Sequence, residues 1–156
     1  MSLFLRNLVF TIIQPGLVAG LAPYWILGSD LNKLAILPQL FHHYLGIVLV
    51  AIGLYVMLSC IIRFATDGRG TLSPADPTKK LVIKGLYRYS RNPMYAGVML
   101  ILIGESTYYM AIDLWIYSLI IFIAFYLFIL LLEEPRLRRD FGDDYREYSH
   151  RVRRWL

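Results

Sequence analysis

Residues Leu40 to Ile62 read LFHHYLGIVLVAIGLYVMLSCII, 23 consecutive positions without Asp, Glu, Lys or Arg. At about 1.5 Å per residue a helix of this run spans the roughly 30 Å hydrocarbon layer of a bilayer. In lipid a helix satisfies its own backbone polar groups, so this run sets the fold class as an all-α integral membrane protein. Three more apolar runs follow the same logic: Leu8 to Leu27, Pro93 to Ile112, and Leu114 to Leu132. The expectation is four transmembrane helices (about 8–27, 40–62, 93–112 and 114–132) and a cytoplasmic C-terminal amphipathic helical tail, together forming one domain over residues 1–156. Hydrophobic residues make up 58% of the chain and mean hydropathy is +0.54, which suits a membrane protein better than a soluble domain of this size.

Charge sets the orientation. With the N-terminus, the 63–92 loop and the tail on one side, that side holds every Lys and Arg except Lys33. The positive-inside rule then makes both termini cytoplasmic in a multi-pass protein. The net charge of +5 flanks the spans rather than forming a separate basic face, so membrane topology accounts for it and no nucleic acid partner is expected. A lone cysteine, Cys60, excludes an intramolecular disulfide, and inside an apolar helix it reads as packing. The first run has full spanning length and no small-residue cleavage site after it, so it reads as a retained helix rather than a signal peptide.

Local punctuation adds detail. Pro15, Gly16, Gly20 and Pro23 predict a kink in the first span and a close helix contact through the Gly16/Gly20 face, with Tyr24 and Trp25 as interfacial anchors. Neighbouring residues on a helix point about 100° apart, so His42 and His43 make poor joint metal ligands and no metal site is expected. Glu105 lies eight residues before Asp113, the expected hairpin tip, and is placed near the far surface. Gly68-Arg69-Gly70 lacks a preceding strand and a third glycine, so it reads as a turn and not a dinucleotide fingerprint.

The chemistry concentrates between Gly85 and Gly97, GLYRYSRNPMYAG, where a basic loop re-enters an apolar run. Polar groups at such a boundary are costly unless they pair or line a site. Pro93 suits the first turn of a helix, leaving Arg91 and Asn92 just outside a helix start that favours anionic groups. Upstream, Leu81-Val82-Ile83 either packs a flat ring or anchors the loop at the interface. Downstream, Glu133-Glu134-Pro135 sets two carboxylates beside a proline expected to bend or end the helix. Leu137, Phe141, Tyr145, Tyr148, Val152 and Trp155 then recur at helical spacing among seven arginines, with Gly142 expected to divide two short helices. Such a segment is expected to lie on an anionic leaflet.

In this order, Arg91-Asn92-Pro93, Tyr95 and Gly97, then Glu133-Glu134, then Phe141-Gly142, Tyr145 and Tyr148, resemble the isoprenylcysteine carboxyl methyltransferase family and the related membrane phospholipid methyltransferases. The likeness covers roughly Gly68 to Trp155; Asn92 stands where the family pattern has histidine. It implies a methyltransferase using S-adenosyl-L-methionine, with cofactor-binding residues among Leu81, Val82, Gly85, Tyr87, Arg91, Asn92, Pro93, Tyr95, Gly97, Glu133 and Glu134, in regions 81–97 and 133–148. Arg88, Tyr145, Tyr148 and Arg151 are the candidates for holding an acceptor head group. The implied acceptor is a lipophilic or lipidated molecule, first an isoprenylcysteine-like carboxylate and alternatively a phospholipid amine. Two other classes compete: a non-enzymatic membrane module with a basic tail, and a relative of the membrane sterol reductases, for which four spans are too few.

Overall fold

The computed structural model describes residues 15–28, 40–63, 66–67 and 81–155. The N-terminal part of the expected first span, the 29–39 connection, the Gly68-Arg69-Gly70 turn and residues 64–65 and 71–80 of the basic loop lie outside them. The described chain is helical, and its extended pairing is limited to one isolated parallel bridge between Ser90 and Arg153. Helix α1 (Ala22–Leu27) follows a π-turn at Leu17–Leu21; α2 is Phe41–Arg63. A short 3₁₀ turn, Gly85–Arg88, leads into α3 (Pro93–Tyr109) and α4 (Ile112–Phe128). A second π-turn, Ile129–Glu133, joins α4 to α5 (Glu134–Arg151).

Two helical stretches are long and apolar enough to cross a membrane: Phe41–Arg63, and the continuous run Ile112–Arg151 through its apolar half. At 17 residues α3 is shorter, yet it is the centre of the bundle, with Val98, Met99, Ile101 and Leu102 all buried. By contrast α2 and α4 expose Leu, Ile and Phe side chains along their outer faces, as lipid-facing helices do.

Glycine sets the closest helix contact, though at other glycines than the sequence suggested. A Cβ on Gly16 or Gly20 would meet nothing within 4 Å, whereas one on Gly46 would lie 2.7 Å from the carbonyl oxygen of Gly104. One on Gly53 would lie 2.7 Å from that of Gly97. These four glycines, two per helix and seven residues apart, bring the α2 and α3 backbones into direct contact. The π-turn before α1 then packs Val18 and Ala19 against the Val98–Met99–Leu102 cluster, and the Tyr117 hydroxyl donates to the Val18 carbonyl at 2.9 Å.

At the far end His43 is buried, accepting the Leu40 N–H on Nδ1 at 3.0 Å and meeting the edge of Tyr108. It caps its own helix. Glu105 is partly buried, with one carboxylate oxygen enclosed and without a hydrogen-bond partner, so it faces inward more than the sequence suggested. Pro135 also departs from expectation, because the helix runs through it. The Glu134 N–H reaches back five residues to the Ile129 carbonyl, and this wider turn makes room for a ring that would otherwise clash one turn back. The bend comes later, at Gly142, whose φ of 53° and ψ of −123° divide α5 as expected.

Candidate functional site

The Glu133-Glu134 pair is split between two neighbourhoods, since adjacent residues on a helix diverge by about 100°. Glu133 turns toward the first turn of α3, where the Tyr95 hydroxyl donates to its carboxylate at 2.8 Å. The Tyr95 ring stands edge to face with Phe125 at 4.9 Å. Burial raises the Glu133 pKa most; the Tyr95 hydrogen bond and Arg136 oppose this, and the neighbouring Glu134 charge adds to it. Glu133 therefore holds a proton to higher pH in the folded chain than in the unfolded one, so its contribution to stability is greatest at low pH and declines as pH rises through its raised value.

Glu134 turns the other way and is 3% exposed. Arg154 holds both its oxygens, at 2.8 and 3.0 Å; Arg91 approaches to 3.2 Å and Arg138 to 3.7 Å. Burial alone would raise its pKa, but the Arg154 hydrogen bonds and the charges of Arg91, Arg154 and Arg138 together hold it below the usual carboxylate range. A planar guanidinium matches a carboxylate through two parallel hydrogen bonds, which makes this a strong clasp.

That clasp fastens a C-terminal strap across the α3 entry. The Arg91 N–H donates to the Arg153 carbonyl at 2.8 Å, while Ser90 Oγ and Asn92 Nδ2 both donate to the Arg154 carbonyl, at 3.2 and 3.1 Å. Ser90 Oγ also accepts the Asn92 N–H. Trp155 then rests against Phe122. Asn92 is thus buried as a strap holder, a task its amide performs by donating to a carbonyl. The Ser90 hydroxyl, the Asn92 amide and the backbone N–H groups of Arg91 and Asn92 are thus engaged by the chain itself.

Several other candidates hold the same end together. Tyr148 donates to the Tyr87 carbonyl at 2.7 Å, and Tyr145, 2% exposed, meets Arg91 Nη1 at 3.4 Å through its hydroxyl oxygen. Tyr87 and Val82 are buried in one cluster with Cys60, and Leu81 is half-buried. Gly85 has φ of +63°, which starts the 3₁₀ turn over the Arg63 side chain. Pro93 opens α3 and Gly97 packs on Gly53. Arg88 and Arg151 are exposed, Arg151 in an ion pair with Glu147. Ser90 and Arg154 carried no separable signal in the sequence, because a strap joining positions more than 60 residues apart has no local pattern.

This end of the bundle holds a half-buried carboxylate beside aromatic rings and, in the other neighbourhood, a guanidinium edge. The Arg91 Nε is enclosed and has no hydrogen-bond partner, so it suits a small carboxylate, while Glu133 suits a cation.

An all-helical membrane protein with a charged aromatic site at one end of its bundle is the class defined by these features. The profile of the family described as phospholipid methyltransferase matches residues 41–144, and the chain belongs to that family of membrane methyltransferases. A Haemophilus influenzae protein described as uncharacterized is 35% identical over 63 residues, which are 40% of this chain and 100% of that protein. No solved structure matches.

Proposed function

We propose that this protein transfers a methyl group from S-adenosylmethionine to a lipophilic acceptor at the membrane surface. The half-buried Tyr95–Glu133 pair, inside the family-matched region, is the observation that carries the proposal. Glu133 and the Tyr95 ring would hold the positive end of the donor and Arg91 its carboxylate; the bound donor supplies an electrophilic methyl and a neutral thioether leaving group. The protein's own work is alignment and exclusion of water.

Acceptor chemistry separates two readings. A phospholipid amine must lose a proton before it attacks, so that reading asks for a base at the acceptor. An isoprenylcysteine-like carboxylate needs no base, and the second reading draws its support from the arginines around the α3 entry that would hold an anion.

Calorimetry in detergent is expected to show the donor or its demethylated product binding in the micromolar range, about −8 kcal/mol. Glu133→Gln should weaken that binding by roughly 1.5 to 3 kcal/mol, about tenfold to a hundredfold, as for a lost charge-assisted hydrogen bond. Tyr95→Phe should weaken it less. No heat and no thermal stabilisation by donor would reject the enzymatic reading in favour of a non-enzymatic membrane module. Methyl incorporation into phosphatidylethanolamine vesicles, read by mass spectrometry against a prenylcysteine, separates the two acceptors.

Four spans with both termini cytoplasmic complete the proposal. The outward apolar faces of α2 and α4 support it, as does the near-absence of Lys and Arg from the opposite side. In intact cells a C-terminal tag should resist external protease; cleavage from outside would reject this topology.

A further inference from the structure

Beside the strap, the Gly142 bend folds α5 back so that Arg138 from its first half and Arg146, Ser149 and His150 from its second half line one cleft with Arg91. The cleft measures about 360 Å³ and is open to the surface. We propose that it is an oxyanion site that takes a phosphate group, either the phosphodiester of a lipid head group or free inorganic phosphate. Charge is the first reason. Three arginines that line it, Arg91, Arg138 and Arg146, together with Arg154 behind Glu134, are in ion contact with two carboxylates among the described residues, Glu134 and Asp143. Two positive charges remain in excess, enough for a phosphate mono- or dianion.

Geometry is the second reason. Guanidinium forks arriving from three parts of the chain can each meet a different pair of oxygens, which suits a tetrahedral phosphate better than a planar carboxylate. Arg138 and Arg146 have 60% and 72% of their side-chain surface exposed, so both can turn onto a ligand without unfolding anything. The Ser149 hydroxyl already donates to the Arg146 carbonyl at 2.8 Å, so recognition falls to the guanidiniums and the His150 ring. The site lies outside the Tyr95–Glu133 pair and shares only Arg91 with it. Its existence does not require methyl transfer.

The test uses the full chain in maltoside micelles, which contain no phosphorus, with phosphorus NMR line broadening as readout. One arm adds inorganic phosphate and the other a short-chain phosphatidylcholine, whose zwitterionic head group carries an anionic phosphodiester beside its quaternary ammonium. Saturable broadening is expected in at least one arm: in the lipid arm alone for a head-group site, in the phosphate arm alone for a soluble anion, in both where the phosphate group itself is read. Arg146→Gln should weaken the responding ligand about fivefold, the effect of one surface arginine on an anion. Asp143→Asn, which frees Arg146 from its acidic neighbour, should strengthen it. Both variants change exposed side chains, so folding should be retained, and unchanged melting would verify that. Absence of saturation in both arms, or equal affinity in wild type and both variants, overturns the proposal.

Discussion

Glu134→Gln is expected to destabilise the folded protein by about 3 kcal/mol, the scale of breaking a buried ion pair by removing one partner. The substitution keeps volume but turns an acceptor pair into a half-donor amide facing the guanidiniums of Arg154 and Arg91, of which Arg91 is largely buried. Because Arg154 is the end of the strap, the loss should spread to the hydrogen bonds from Ser90, Asn92 and the Arg91 amide. Thermal melting in detergent measures the first effect and hydrogen exchange at Arg91 and Asn92 the second. An Arg154→Ala variant should cost little more when combined with Glu134→Gln than alone, since both remove one interaction. Full additivity, or a melt within error of wild type, would show that the clasp contributes nothing.

The same carboxylate predicts a pH dependence. Its folded-state pKa lies below its unfolded value, so its stabilisation is fully present above the ordinary carboxylate pKa and is lost as pH falls through the lowered value. Strap release should therefore appear only on the acid side. Glu133 works in the opposite sense and softens the overall acid profile, which makes exchange at the strap amides the cleaner readout.

The second large effect is expected from Gly53→Ala. A Cβ there would sit 2.7 Å from the Gly97 carbonyl oxygen and 2.9 Å from the Ile101 amide nitrogen, both backbone atoms that cannot rotate away. The α2 and α3 axes would have to separate, and overpacking of this kind costs about 3 kcal/mol at the upper end of its common range. Gly46→Ala should behave alike, with the Gly104 carbonyl oxygen at 2.7 Å and the Tyr108 amide nitrogen at 2.8 Å. Gly97→Ala, whose nearest contacts are 3.1 to 3.2 Å, should cost clearly less, about 1 kcal/mol. Gly16→Ala and Gly20→Ala should be neutral or slightly stabilising, as open helical glycines are. Melting midpoints of the five variants test the ranking, and a loss at Gly16 as large as that at Gly53 would contradict the placement of the helix contact.

The apolar run at 40–62, the Pro93 helix start and the family to which the chain belongs were legible from residue order alone. Each depends on neighbours in sequence: unbroken hydrophobicity, a missing N–H, motifs spaced along one strand of text. The Gly142 division of α5 belongs with them, because a glycine inside an amphipathic period is a local signal. Which glycines carry the helix contact was not legible, since a small residue reads the same whether it faces a partner or open space. Nor was the division of labour between Glu133 and Glu134, adjacent in sequence and chemically identical. A helical step of about 100° and a π-turn before Pro135 send one carboxylate to Tyr95 and the other to Arg154, and only the packed bundle fixes what each one meets.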